Sequence, residues 1–450
     1  MLSQILAVAI FVVMFIEIVR EKIPRHVVTL VAGGLTLVVV FLLTMHSWPD
    51  VWQALSFHSM AETTFWYTGA HGSTGMNTGI NWSTILFITG MMILVEGMSE
   101  AGFFDWLCLR LAKLVGYKPV PLLVCFMILS AGLSMFIDSI TVILFLAVAS
   151  VRLAHLLKFD PIPLIIAEIF TANLGGAATM SGDPPNIILG TSLGLGFWDF
   201  LQNNGTICLV GFGVELGYFY LCFRNKLRAG AWSVDPALWA MEPGDAIPNR
   251  RAFGVNVAIF GGMILLLATH AWTGLTMPTI GVVAAAVTLA GNRRGWSLLR
   301  QVDWRTIGFI IGLFLVVSGL EQTGILDGLA RFLGNLGGED TGRMMVVLIW
   351  FTALLSAFVD NIPMATVMVP VLTALSDGLG MDLETLTWSV SKGTDIGGIA
   401  TPIGASANVT GVMLAAREGH PISWRRYCKY AVPLSLLVLV LSMVLLLAFH

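Results

Sequence analysis

Apolar runs long enough to cross a bilayer recur along the chain, at about 4–19, 27–45, 82–98, 162–190 and 205–223. A second set follows at about 252–270, 276–291, 304–320, 384–414 and 430–449. Two more apolar stretches, 120–156 and 343–376, are too long for one span, and a short polar run interrupts each. The interruptions read Ser134-Met135-Phe136-Ile137-Asp138-Ser139 and Ser356-Ala357-Phe358-Val359-Asp360-Asn361-Ile362-Pro363. Each predicts a re-entrant helical hairpin with a polar tip. The pattern predicts an all-α polytopic membrane protein with ten spans and two hairpins.

Two of the spans cannot run through as undisturbed helices. The first carries Gly175-Gly176-Ala177-Ala178-Thr179-Met180-Ser181-Gly182-Asp183-Pro184-Pro185-Asn186 near its middle. Proline lacks the backbone N–H, and glycine costs about 1 kcal/mol in a helix interior. The second carries Gly397-Gly398-Ile399-Ala400-Thr401-Pro402-Ile403-Gly404-Ala405-Ser406-Ala407-Asn408. Opened backbone is tolerated in a membrane only where protein encloses it or it lines a cavity. Paired broken helices in corresponding places of two halves point to a transporter's substrate site.

The halves align without a gap at an offset of 222 residues. Trp82 matches Trp304, Gly90 matches Gly312, Asp138 matches Asp360, Gly182 matches Gly404 and Asn186 matches Asn408. One length difference remains, a long polar loop at 46–80 against only about 292–303. The expected organisation is a first repeat at 1–223, a cytoplasmic linker at 224–251 and a second repeat at 252–450. Each repeat has five transmembrane helices, one broken, plus one re-entrant hairpin. An odd number of spans inverts the second copy. With the 20–26 loop in the cytoplasm, 21 of the 24 Lys and Arg fall on cytoplasmic segments. Arg331 and Arg343 lie outside, Lys392 lies within a span, and both termini are expected outside.

Composition agrees and excludes other classes. The 450 residues are 56% hydrophobic and 11% charged, where a soluble domain carries about 25% charged residues. Mean hydropathy is +0.85. A net charge of −3 offers no basic surface for nucleic acid. Cys108, Cys125, Cys208, Cys222 and Cys428 are scattered, which indicates neither a disulfide framework nor a zinc site. The start, Met1 to Ile18, lacks a basic flank and a cleavage site and reads as a retained span.

The candidate chemistry lies in the hairpin tips and helix breaks. Asp138 and Asp360 are acids in mid-membrane runs, suited to proton or cation binding or to capping the second hairpin arm. Asp183 follows a glycine at the first break and either titrates or caps the helix restarting at Pro184. Its counterpart is Ala405, so the half-sites are chemically unequal. Ser134, Ser139, Thr179, Asn186, Ser356, Asn361, Thr401, Ser406 and Asn408 offer hydroxyl and amide groups to a small substrate or to the opened backbone. Lys392 and Asp395 stand one turn apart, as a neutralising pair or as a coupling pair in which protonating Asp395 frees Lys392. Glu168 occurs only in the first copy. Glu17, Glu96 and Glu215 read as interfacial. The eight histidines fall in loops or near span ends, which argues against a histidine proton relay.

These motifs resemble the ion transporter superfamily. That group includes ArsB-type arsenite permeases, the P protein, NhaD-type sodium/proton antiporters and dicarboxylate/sodium symporters. The resemblance rests on Gly102-Phe103-Phe104-Asp105-Trp106, the Asp138 and Asp360-Asn361 tips, both helix breaks and Arg417-Glu418-Gly419-His420-Pro421. It covers nearly the whole chain. The symporters' Ser-Asn-Thr tips are absent, and the chain looks most like an ArsB-type permease. The resemblance implies a scaffold part, a moving part and a homodimer in the inner (plasma) membrane. It implies proton-coupled export of arsenite or antimonite by alternating access. Sodium/proton antiport is the alternative and a dicarboxylate symporter the third reading. No cysteine falls in the tips or broken helices, so a thiol-held arsenite site is not supported. No cofactor or metal is expected beyond a coupling proton or sodium ion. A Gly-x-Gly-Asp protease motif, a serine protease pair and a nucleotide loop are all missing, so the chain reads as a secondary transporter rather than an enzyme. No ATPase subunit is indicated.

Overall fold

The computed structural model describes residues 1–20, 22–68, 79–229, 242–292 and 295–449. Expectations placed on His71, His450, Arg293, Arg294 and the middle of the 224–251 linker lie outside the described residues.

Long apolar segments flanked by caps and glycines fold here as helices. In the first half these are α1 (Leu2–Arg20), α2 (Arg25–Leu35, continued as a π-helical stretch Thr36–Thr44), α3 (Trp82–Glu100), α4 (Phe103–Leu114), α5 (Pro119–Ser134), α6 (Ser139–Leu157), α7 (Ile162–Gly176), α8 (Pro184–Leu193) and α9 (Thr206–Ala229). The second half repeats the order with α10 (Arg250–Thr273), α11 (Met277–Gly291), α12 (Trp304–Gln322), α13 (Ile325–Gly337), α14 (Thr341–Ser356), α15 (Asn361–Leu379), α16 (Leu383–Ile399), α17 (Ser406–Arg417) and α18 (Trp424–Phe449). Nine helices among the described residues are long and apolar enough to cross a membrane. Both hairpins (α5–α6 and α14–α15) and both broken helices (α7–α8 and α16–α17) form where the polar interruptions placed them.

The halves are interleaved rather than side by side. Helix α2 packs along α12 of the other half, and α11 packs along α3. Glycines make both approaches possible. A Cβ on Gly312 would lie 2.4 Å from the Thr29 carbonyl carbon, and one on Gly90 would lie 2.1 Å from the Gly281 carbonyl oxygen. Within each half, the first hairpin arm packs as closely on the broken helix. A Cβ on Gly175 would fall 2.3 Å from the Ala131 oxygen, and one on Gly397 would fall 2.4 Å from the Ala353 Cα.

Burial follows function of position. Every residue of α7 and α8 is buried, as is α16 from Thr385 onward, and the first break, 177–183 between α7 and α8, is buried throughout. Helix α1 instead presents Ile5, Val8, Val12, Val13 and Ile16 outward, as a lipid-facing helix does.

The polar 46–80 loop contains helices at Trp48–Leu55, capped by Ser47 on Asp50 N–H, and at Thr63–Trp66. Helix α9 continues to Ala229, into the stretch expected as linker. One sequence expectation changes. Glu215 is not interfacial. It lies in the middle of α9 and is buried, since that helix starts at Thr206 and extends well beyond the apolar run.

Adding a methyl at Gly397 forces backbone apart, whereas Gly34 has open space around it. Gly397→Ala should destabilise by about 1–3 kcal/mol, the usual cost of overpacking, and Gly34→Ala should not. Thermal melting of the purified protein in detergent distinguishes them; equal melting temperatures would contradict the packing described.

Candidate functional site

The two helix breaks leave carbonyls that lipid cannot satisfy. One asparagine closes each gap. The Asn408 side-chain amide donates to Gly398 O at 2.9 Å and Thr401 O at 2.8 Å. The Asn186 amide donates to Gly176 O at 3.4 Å and Thr179 O at 3.3 Å. The Thr179 hydroxyl donates to Met135 O of the first tip, and Thr401 donates to Ala357 O of the second. Ser356 donates to Thr394 O at 2.7 Å. Ser134 is buried, and its Oγ has no partner among the described residues. These candidate substrate groups are thus largely engaged in holding the breaks and tips together.

The tip acids do cap helices. Asp138 accepts from Ile140 N–H at 2.9 Å, Thr141 N–H at 3.4 Å and the Thr141 hydroxyl. Asp360 accepts from Ile362 N–H at 3.2 Å. Asp360 does more, because its Oδ2 also accepts from the Ser406 hydroxyl and forms an ion pair with Arg25 at 3.0 Å. Arg25 comes from the start of α2, in the other half. Asp138 faces a cavity of about 70 Å³ shared with Glu96, Ser181, Asp303 and Thr306.

Asp183 departs from the capping alternative. It occupies the N-cap position of α8, yet its side chain makes no capping bond. One carboxylate oxygen accepts from the Ser139 hydroxyl at 2.9 Å, and the other accepts from the Asn361 amide at 3.1 Å. Ser139 opens the second arm of one hairpin, and Asn361 opens that of the other. A single buried carboxylate, 3% exposed, therefore ties both tips to the first helix break. Both of these donors are neutral. A buried charge without a close counter-ion is costly.

Lys392 and Asp395 form no contact ion pair among the described residues, although the Lys392 charge still acts on the carboxylate. Lys392 is fully buried and its Nζ points to Asn204 O at 3.1 Å and Cys208 Sγ at 2.9 Å. Asp395 Oδ2 lies 3.5 Å from the Ser391 hydroxyl, and Oδ1 has no partner among the described residues. The acceptors offered by α9 and the turn before it draw the ammonium away from the carboxylate. Ser391 also donates to Asn186 Oδ1 at 2.8 Å and accepts from the Asn204 amide at 2.7 Å. In the matching place of the other half, Asn173 donates to Asn408 Oδ1 at 3.0 Å. Glu168 faces Ser150, and its backbone oxygen accepts from Ser130, so it ties α7 to both hairpin arms.

The structure thus joins Ser139, Asp183 and Asn361 in one centre, Asp360 with Ser406 in a second, and Asn186 with Asp395 in a third. Asp138 stays with its own helix. Sequence reasoning missed Arg25, Asn173, Ser391, Asn204 and Cys208. Asn173 was within reach, because it is the counterpart of Asp395 at the repeat offset. Ser391 was also within reach, one helical turn before Asp395 on the same helix; Arg25, Asn204 and Cys208 come from elements whose proximity no spacing reveals. Among the described residues, no group of three or more His, Cys, Asp or Glu is placed to hold a metal ion.

Comparison with known proteins agrees with this architecture. A family model described as "Citrate transporter" matches residues 13–393. An uncharacterized transporter of Mycobacterium tuberculosis is 28% identical over 434 residues, covering 95% of this chain and 94% of that protein. The P protein of Mus musculus is 25% identical over 451 residues, covering 82% of this chain and 54% of the other. The crystal structure of the Alcanivorax borkumensis YdaH transporter superposes with a TM-score of 0.58 at 15% identity, over 99% of this chain and 98% of that one; this last likeness concerns the fold alone. The chain belongs to the citrate transporter family. It is a membrane transporter, not an enzyme, and the ion transporter resemblance holds at that level.

Removing the Asn408 amide leaves two buried carbonyls without their donor, at about 1–3 kcal/mol for each unsatisfied group. Asn408→Ala should therefore melt well below the parent. Asn203→Ala, which removes one local bond to Asp199 O in the π-helical turn Leu201–Gly205, should melt close to it. Comparable losses in the two variants would remove Asn408 from its role in closing the break.

Proposed function

For this member of the citrate transporter family we propose proton-coupled secondary active transport by alternating access, with Asp183 as the coupling carboxylate. The observation that carries the reading is the bridge from Asp183 to Ser139 and Asn361. Charged, the carboxylate accepts from both hairpin tips. Protonated, it loses acceptor strength, and the tips are held less firmly to the break. Protonation and tip position are then linked, which is what coupling requires. The hairpins and broken helices form the moving part, and α2, α3, α11 and α12 form the scaffold. The setting proposed is the inner membrane, with both termini outside, as a homodimer without an ATPase subunit.

For the cargo, export of arsenite or antimonite follows from the resemblance of the tips and breaks to ArsB-type permeases. A neutral trihydroxide needs free hydroxyl and amide groups. Asn186, Asn408, Thr179 and Thr401 hold backbone, so the trihydroxide would have to take Ser139 and Asn361 from Asp183, which a protonated Asp183 holds less firmly. A second reading, an organic anion such as citrate, is supported by the family description and by Arg25 at the second tip, 3.0 Å from Asp360. Sodium/proton antiport would use the same acids.

The test uses membrane vesicles with an imposed proton gradient, inverted for arsenite, antimonite, sodium and lithium and right-side-out for citrate and succinate. Solute uptake and gradient collapse are followed together. The solute that is carried should move at least about tenfold more slowly in Asp183→Asn, with part of the rate restored in Asp183→Glu. Arsenite or antimonite uptake supports the export reading. Citrate uptake replaces it with the anion reading, and gradient collapse by sodium or lithium alone replaces it with antiport. Full gradient-driven transport by Asp183→Asn would sink the assignment of Asp183.

A further inference from the structure

The two charges on α16 have no counterparts in the other repeat. At the repeat-related positions the first half carries Ile169, Phe170 and Asn173 in place of Ser391, Lys392 and Asp395. That half closes the same place with a neutral Asn173–Asn408 hydrogen bond at 3.0 Å. The second half buries a lysine and an aspartate instead, with Lys392 and Asn204 fully buried and Asp395 2% exposed. Burying two charges costs several kcal/mol per ion unless they are paired with good geometry. Here no contact ion pair joins them among the described residues. The ammonium is turned to Asn204 O and Cys208 Sγ.

That turn leaves oxygen atoms unused. Asp395 Oδ1 and Asn204 Oδ1 are both buried without a hydrogen-bond partner among the described residues. The Ser391 hydroxyl links the two groups, accepting from the Asn204 amide at 2.7 Å and lying 3.5 Å from Asp395 Oδ2. The same hydroxyl donates to Asn186, which closes the first helix break. The titratable groups facing the site are Asp183 at the start of α8 and, on α9, Cys208 with Glu215 behind it. Carboxylate, amide and hydroxyl oxygens are the donors that hard cations take.

We propose that Asp395, Asn204 and Ser391 form a site for a sodium- or lithium-sized cation, with Lys392 as its built-in competitor. The cation binds Asp395 Oδ1 and Asn204 Oδ1, and one proton leaves the Lys392 ammonium. The charge of the site is unchanged by the exchange. The neutral amine keeps a donor for Asn204 O and accepts from the Cys208 thiol. In the reverse step a proton returns to Lys392, and the positive charge restored beside Asp395 expels the cation. The site adds a second exchanging group to the coupled transporter read above, and it rests on that reading only for its place in the transport cycle.

Binding is read on the purified full-length protein in detergent, by calorimetric titration with sodium or lithium chloride against choline chloride at constant ionic strength. Proton release is followed with a pH dye in weak buffer. The parent should bind sodium and release about one proton per cation bound. Asp395→Asn should bind at least about tenfold more weakly. Lys392→Met should bind more tightly and release no proton. Lys392→Arg, which keeps a charge that does not dissociate, should bind weakly without proton release, and it guards against loss of folding in the methionine variant. Asp183→Asn should lose gradient-driven transport yet keep sodium-linked proton release, which separates failure of this site from failure of the Asp183 reading. No sodium binding by the parent, unchanged binding in Asp395→Asn, or unchanged proton release in Lys392→Met would each overturn the proposal.

Discussion

A helix opened in the middle of a membrane must satisfy its own backbone, and the rest of this architecture follows from that constraint. Lipid offers no hydrogen bonds, so each freed carbonyl needs a protein donor. Asn186 and Asn408 span the gaps, and Thr179 and Thr401 tie each break to the neighbouring hairpin tip. The tip must therefore sit directly against the break. Glycines at Gly175, Gly182, Gly397 and Gly404 clear the space for it, since a Cβ at any of them would meet backbone of the hairpin or of the break itself. Hairpin and broken helix become one polar-centred unit, with α9 and α18 packed against it and apolar side chains such as Ile128, Leu144 and Leu354 turned outward.

On this symmetric frame the charges are placed asymmetrically. Asp183 faces Ala405 across the repeat, Asp395 faces Asn173, and Lys392 faces Phe170. Each opposite half folds to the same local arrangement with the neutral residue, so the charge itself is not what the repeat's backbone geometry requires. Asp138 and Asp360 differ from these, because both repeats keep them and both use them as helix caps. A carboxylate at a helix N-terminus is favoured by the dipole and by its N–H donors, so structure alone accounts for Asp138. Asp360 carries in addition the ion pair to Arg25.

Much of this was legible in the sequence. The hairpin arms, the broken helices and the repeat offset were set by apolar length and by where glycine, proline and polar residues interrupt it. Those signals are local, and the structure follows them within a few residues. What was hidden is what the halves do to each other. The parallel packing of α2 on α12 brings Arg25 to Asp360, 335 positions away along the chain. The turn before α9 brings Asn204 to Lys392. Helical spacing alone set Lys392 against Asp395, but among the described residues no contact ion pair joins them, because nearby acceptors from another element hold the ammonium more closely. Asn186, Asn408, Thr179 and Thr401 pointed to the right place, but their engagement with backbone depended on knowing where each freed carbonyl lay.

Close packing also marks where relative movement costs least. Inside the scaffold, α2 on α12 and α11 on α3 meet through glycines at backbone distance, and sliding there would break a dense interface. Inside the other part, hairpins and broken helices share hydrogen bonds at every tip. Between the two parts, polar contacts stand among apolar ones. Asn81 and Thr84 meet Thr191 and Ser192 at one place, and Arg25 meets Asp360 at another. A cavity of about 320 Å³ separates Ser318 and Glu321 of α12 from Thr366 and Asp377 of α15. Hydroxyl, amide and ion-pair contacts can be exchanged for water or for one another with little net cost, unlike interdigitated backbone. The proposed movement therefore has a plane prepared for it. That plane runs beside Asp183, where the protonation of one carboxylate alters the hold on both tips at once.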